Sequence, residues 1–279
     1  LGATCIRASR PGHIGVIPTK PNEDYLFPAH FIQTALDLGW FDPATGPFNV
    51  NSIFGDGKGR WAGVAWIEKE MLRRAERPEK ISLADVFWSI STEKLTGDTA
   101  GYGQVVPLCQ PAHDDLRMIW HAPVGAVTAP LLPVFLSQAT VPDAYQKHRY
   151  LTEGESARFL DRRKESQFPE VVSRVPQGIE SGESAVYCFK QLMHLAFQSL
   201  DMILPEVDQH WRRVEQAACA ELPNVEKSAR LLIEAGEAAL GIKILTGFSN
   251  RCLAEALADC RALSGAAYVR LRAMDALNL

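Results

Sequence analysis

Cys5 lies near the start of the chain, where ATCIRAS runs into a strand-like stretch. A thiol beside a chain-terminal amine can act as a nucleophile, because an α-amine titrating at about 8 takes the thiol proton at neutral pH. That chemistry needs the thiol on the first residue, so Leu-Gly-Ala-Thr would have to be removed. His121 follows Trp120 and precedes an apolar run, where it either faces a pocket or holds a structural hydrogen bond. His113-Asp114-Asp115 could bind a hard cation, but three adjacent polar loop residues are more simply solvated. Phe54-Gly-Asp-Gly-Lys-Gly-Arg60 is glycine-rich yet lacks the GxxxxGK[ST] spacing of a phosphate loop, which leaves a plain surface loop. His194, in a helical stretch near its apolar face, reads as core or interface, and Arg162-Arg163-Lys164 as a solvated helix face.

The elements that must position these groups are dominated by one run, VGAVTAPLLPVFLS (124–137). Pro130 and Pro133 would each cost a helix about 3 kcal/mol and would remove donors from a central strand. The run is also shorter than the roughly 20 apolar residues that cross a bilayer. It reads as buried irregular chain leading into a short strand, Val134 to Leu136, of the kind that forms a pocket wall. Upstream, residues 1–20 read as two short strands around Pro11-Gly12, 28–39 as a helix stopped by Gly39, and 40–60 as loop-rich. A helix is expected over 62–76. Ser82-Leu-Ala-Asp85 resembles a capping box and opens another. Val141–Tyr145 reads as a turn and 154–166 as a charged helix.

After about residue 180 the pattern is wholly helical. Ala185, Phe189, Leu192, Ala196, Leu200 and Ile203 share one face of a helix that Pro205 should end. Further helices are expected over 206–221 and 225–245, with Gly247 as a C-cap, and a last one over about 249–277. The division is therefore 1–180 mixed α/β and 181–279 helical.

The 279 residues are 47% hydrophobic and 22% charged, ordinary for a folded globular chain with a substantial core. The net charge of −4 has no basic block, which argues against nucleic acid as a partner. No segment has the pattern of a membrane span. The six cysteines form no CxxC and no zinc spacing, so neither a metal nor another cofactor is expected. They read as free thiols in a reducing compartment, making the cytoplasm the expected location.

Several stretches, in order, resemble the dipeptidase A and secernin-like family of N-terminal nucleophile hydrolases. They are ATCIRASRPGHIGVIP, ALDLGWFDPATGPFNVNSIFG (35–55), ISLADVFWSISTEKLTGD (81–98), and Trp120 followed by TAPLLPVFLSQATVPDAY (128–145). ESARFLDRRKE (155–165) or SAVYCFKQLMHLAF (184–197) is similar to the helix that follows in the family. The resemblance covers residues 1 to about 200. It implies an α+β fold of stacked antiparallel sheets between helical layers, ending in a helical region. It also implies that the nucleophilic cysteine lies far upstream, on a preceding segment or a second chain. This chain would then supply the second sheet and the pocket walls, through loops 15–21, 54–61 and 120–135. Arg7, Thr19, Trp120, His121 and Thr128 become the candidate pocket or oxyanion residues, with Cys5 the remaining nucleophile candidate. Where the family carries Ala-Asn-Gln, this sequence has Pro18-Thr19-Lys20, and the strand before Trp120 is shortened to CQPAHDDLRM. The expectation is a dipeptidase- or amidase-like amide hydrolase acting on a small amide or dipeptide, in an oligomer. The alternative is a non-catalytic subunit that keeps the fold.

Overall fold

The computed structural model describes residues 16–23, 25–28, 30–54, 62–97, 100–108, 111–147 and 181–277. The chain divides into two compact units, Leu1–Ser89 and Ile90–Leu279. Cys5, Arg7, the Pro11-Gly12 turn, the 154–166 helix and most of the 54–61 loop lie outside the described residues.

In the first unit Ile17, Ile32, Ala35, Phe41 and Phe48 form a buried core, on which Phe31 and Ile53 pack. Helix α1 (Phe31–Asp37) ends at Gly39, whose φ of +66° suits glycine and whose N–H returns to the Leu36 carbonyl at 3.0 Å. A short helix, α2 (Val50–Phe54), stands where loop was expected. It brings Phe54 onto Phe31, the two rings stacked 4.8 Å apart. Of the two strands expected over 1–20, the described part shows an isolated bridge, Val16 to Asn49.

Helix α3 (Ala62–Ala75) and helix α4 (Leu83–Ser91) follow as expected. The Ser82/Asp85 pair closes a reciprocal capping box. The Ser82 hydroxyl accepts the Asp85 N–H at 3.1 Å, and the Asp85 carboxylate accepts the Ser82 N–H at 3.0 Å and its hydroxyl at 2.7 Å. Arg74 of α3 pairs with the same carboxylate at 2.5 Å and lies 3.7 Å over the Trp88 ring.

The second unit holds the sheet and the long helices, an α+β arrangement ending in helix. Strands β1 (Gly103–Val105), β2 (Met118–Ala122) and β3 (Leu132–Phe135) form an antiparallel sheet in the order β1-β2-β3. Trp120 pairs with Val105 on one side and Pro133 on the other. The strand expected at Val134–Leu136 thus begins two residues earlier and takes in Pro133.

Residues 141–145, expected as a turn, lead into one turn of helix, α5 (Asp143–Gln146). Segment 138–145 is fastened to the last helix. Ala139 N–H donates to the Thr246 hydroxyl at 3.1 Å, Gln138 to Asn250 at 2.9 Å, and the Tyr145 hydroxyl to the Leu253 carbonyl at 2.9 Å.

Helix α6 (Ala185–Gln198), helix α7 (Leu200–Glu234) and helix α8 (Ala238–Leu277) complete the unit. The first of these helices stops at Ser199, not at Pro205, and Pro205 and Pro223 both lie inside α7. The chain reverses at Gly236, φ +87°, while Gly247 is interior to α8. A proline deletes one intrahelical donor, a local loss that burial along a 35-residue amphipathic helix outweighs. Val207, Trp211, Ala218, Ala229 and Ile233 face inward from α7, and Leu245, Leu253, Ala256, Leu257 and Cys260 from α8. Gly241 allows the two helices to approach closely, since a Cβ there would meet Ile233 Cγ1 at 2.8 Å and the Ala229 carbonyl at 2.9 Å. Arg251–Glu221, His210–Asp259 and Arg270–Glu206 pair across the same two helices.

Candidate functional site

The proline-pinned run forms packed interior. Every residue from Ala122 to Pro133 is buried, so the expected pocket wall shows no open face. Irregular backbone in such a place leaves N–H and C=O groups that need partners. Some are met locally, with Gly125 N–H donating to the Ala100 carbonyl and Thr128 N–H to the Gly125 carbonyl, both at 3.2 Å. Close approach helps as well, because a Cβ on Gly103 would sit 2.8 Å from that of Ala126.

Two further groups are met from α7. The Trp211 indole N–H donates to the Thr128 carbonyl at 2.9 Å. One turn later, the Glu215 carboxylate accepts the Leu131 N–H at 2.9 Å. Burial pushes the Glu215 carboxyl up to about 7, and its bond from Leu131 and the nearby Arg212 only partly offset this. A partly buried carboxyl at that value changes charge near neutrality, the range in which an acid or base can work.

Sequence reasoning missed both residues. The signal was present in the spacing: Val207, Trp211, Glu215 and Ala218 recur at helical intervals, so a carboxylate interrupts an apolar stripe.

Comparison with protein-family models, curated proteins and solved structures gives no match.

The predicted site residues are placed as follows. Trp120 is central in β2 and 1% exposed. Thr128 is fully buried, and its hydroxyl has no hydrogen-bond partner among the described residues. His121, on the opposite face of β2 from Trp120, is half-buried with Nδ1 unpartnered among the described residues, and burial lowers its pKa, keeping the ring neutral. Its ring lies 6.4 Å from that of Tyr102. The structure therefore brings Trp120, His121 and Thr128 into one strand-and-loop unit, while Thr19, exposed after Ile17, belongs to the first unit.

His113 is exposed, and its Nδ1 accepts the Asp115 N–H at 3.2 Å, a local loop cap. His194 is exposed on α6, one position off the buried stripe, and is neither core nor half-buried. Among the described residues no helix is long and apolar enough to cross a membrane.

Proposed function

We propose that this chain is part of an amide (C–N) hydrolase of dipeptidase or amidase type, with its cysteine nucleophile supplied by an upstream segment or a partner chain. The observation that carries the reading is the outer edge of β1. Among the described residues no strand pairs there, and Tyr102, Val106 and Leu108 beside it are exposed, Leu108 by 93%. A strand edge flanked by exposed apolar side chains is a place for another strand. The stacked sheets of an N-terminal nucleophile hydrolase need more strands than these three.

The thiols of the helical region support a nucleophile located elsewhere. Burial pushes Cys219 and Cys252 up to about 11 and Cys260 higher still, so these three stay protonated at neutral pH. In the reaction the upstream thiolate adds to the amide carbonyl carbon. The amine leaves with the proton that the thiol gave up, and a thioester remains. Water then cleaves the thioester, returning the thiol and releasing the carboxylic acid. Thr19, with an exposed hydroxyl, is the residue of this chain offered for the oxyanion. Exposed Leu231 and Leu240, near the α7–α8 turn, are in keeping with an oligomer, and free thiols with a cytoplasmic protein.

A second reading, a non-catalytic subunit retaining the fold, is favoured by the closure of Trp120 and Thr128, which leaves two pocket candidates out of reach of a substrate. Intact mass and N-terminal sequencing of every polypeptide in the native particle separates the two. The enzyme reading expects a polypeptide beginning with Cys, and dipeptide hydrolysis that stops when iodoacetamide alkylates that residue. A particle without such a terminus, inert towards a dipeptide panel, overturns it in favour of the subunit.

A further inference from the structure

Helices α7 and α8 form an antiparallel hairpin whose two sides differ. One side meets the sheet and its loops, where Trp211, Glu215 and Thr246 hold Thr128, Leu131 and Ala139. The other side is open. Gly241 of α8 faces Ala229 and Ile233 of α7. In an antiparallel pair, the residues just before inward-facing ones turn to the same side on both helices. Leu240 therefore lies on the open side, which continues along α8 at helical spacing through Ile244, Gly247, Ala258, Gly265 and Val269, all exposed. Leu240 is 49% exposed, Ile244 36% and Val269 66%. Apolar side chains aligned in this way, rather than scattered singly, mark a contact surface. The ion pairs along the hairpin are closed within it: Arg251 with Glu221 at 2.6 Å and with Glu255 at 3.4 Å, His210 with Asp259 at 2.8 Å, and Arg270 with Glu206. Charges paired in this way select no oppositely charged partner.

We propose that this strip is the contact between two copies of the chain, α8 lying antiparallel on its counterpart about a twofold axis between Ala254 and Glu255. A twofold contact sets one surface against itself, so the strip must be complementary to itself. It is, because its apolar bulk stands at the two ends and small residues lie between. The axis sets Leu240 opposite Val269 of the second copy. It sets Ile244 opposite Gly265, where a Cβ would meet nothing within 4 Å and the isoleucine has room. Arg251 of each copy comes within one helical turn of Glu255 of the other, so the guanidinium can bridge both carboxylates. The area is sufficient. From Leu240 to Val269 the helix rises about 44 Å, and two helices side by side are roughly 18 Å wide. The resulting strip of about 800 Å² is what each partner of a specific interface buries. This proposal deepens the oligomer reading given above and does not depend on hydrolase chemistry.

Sedimentation equilibrium of the full chain across the micromolar range tests it. The expected result is a monomer–dimer equilibrium and a melting temperature that rises with concentration. Ala258→Glu, at an exposed helical position, brings like charges together across the axis and should weaken the dimer by about a hundredfold or more. Its helix content should match the parent's, which separates a blocked contact from a damaged fold. His194→Glu, exposed on α6, should dimerise like the parent. Ala254→Cys, beside the axis, should be trapped as a covalent dimer under mild oxidation that leaves the parent uncrosslinked. A chain that stays monomeric throughout overturns both the proposal and the oligomer reading. A dimer that Ala258→Glu leaves intact overturns the proposal alone and moves the contact to another face. A dimer that Ala254→Cys fails to trap overturns the antiparallel register.

Discussion

Asp85 in the first unit and Glu215 in the second do the same local task and titrate in opposite directions. Each carboxylate accepts a backbone N–H, Asp85 from Ser82 and Glu215 from Leu131. Burial raises both carboxyls, yet Asp85 is the stronger acid. Burial pushes Asp85 up, but the Ser82 N–H and hydroxyl and the Arg74 guanidinium outweigh it and bring the carboxyl down to about 2. Among the described residues Glu215 has one N–H and no ion pair at its carboxylate, and burial carries it up to about 7. Which form is held follows from how far the partners offset burial, fully at Asp85 and only in part at Glu215. One site is built to keep a charge, and the other tolerates losing it.

The comparison breaks most severely at Trp211, which shares the Glu215 side of α7. Trp211→Ala removes a side chain only 3% exposed together with its bond to the Thr128 carbonyl. The expected loss is about 3–5 kcal/mol. Trp211→Phe keeps most of the volume and strands only the carbonyl, at about 1–3 kcal/mol. Amide exchange would report the result, with Leu131 losing protection and Ser82 retaining it. Equal loss at both amides would show that the two sites are not locally determined.

The pH dependence sharpens the comparison next. Glu215 binds its proton more tightly folded than unfolded. Its stabilisation is complete below its ordinary 4.5 and is lost as pH rises through about 7, amounting to about 3 kcal/mol. Asp85 binds its proton less tightly folded. Its contribution is present above 3.8 and is lost as pH falls through about 2, amounting to about 2 kcal/mol. Glu215→Gln should therefore flatten the neutral side of the stability profile, and Asp85→Asn the acid side. Denaturant midpoints measured from pH 2 to pH 8 on both variants check this. A Glu215→Gln profile that parallels the parent's would refute the assignment.

What the sequence made legible follows from how local each signal is. The capping box at Ser82 and Asp85, the stop at Gly39 and the buried face of α6 depend on residues a few positions apart, and all appear in the structure. The proline-pinned run was legible as buried but not as closed. What closes it, Trp211 and Glu215, comes from 83 and 84 residues away. The helix ends were misread for the same reason. Pro205 and Pro223 carry strong local stop signals, but burial along α7 overrides them. The candidate site was legible in its strand-and-loop half, Trp120, His121 and Thr128, and silent in its helical half.

Two glycines of α8 extend the same lesson to the smaller effects. Gly241 and Gly247 both sit in a helix, where glycine costs about 1 kcal/mol relative to alanine. By propensity alone, alanine should improve both. At Gly241 the new Cβ would meet the Ala229 carbonyl at 2.9 Å, and backbone cannot yield as a side-chain tip can. Gly241→Ala is therefore expected to destabilise by about 1–3 kcal/mol, the usual cost of overpacking. At Gly247 nothing lies within 4 Å of the new Cβ. Had Gly247 been the C-cap that its type suggests, a positive φ would have penalised alanine. The positive φ belongs to Gly236 instead, at +87°. Gly247→Ala should therefore stabilise by about 0.5–1 kcal/mol, read as a raised denaturant midpoint with an unchanged slope. A lowered midpoint would mean that α8 breaks at Gly247 and that the local signal had won there after all.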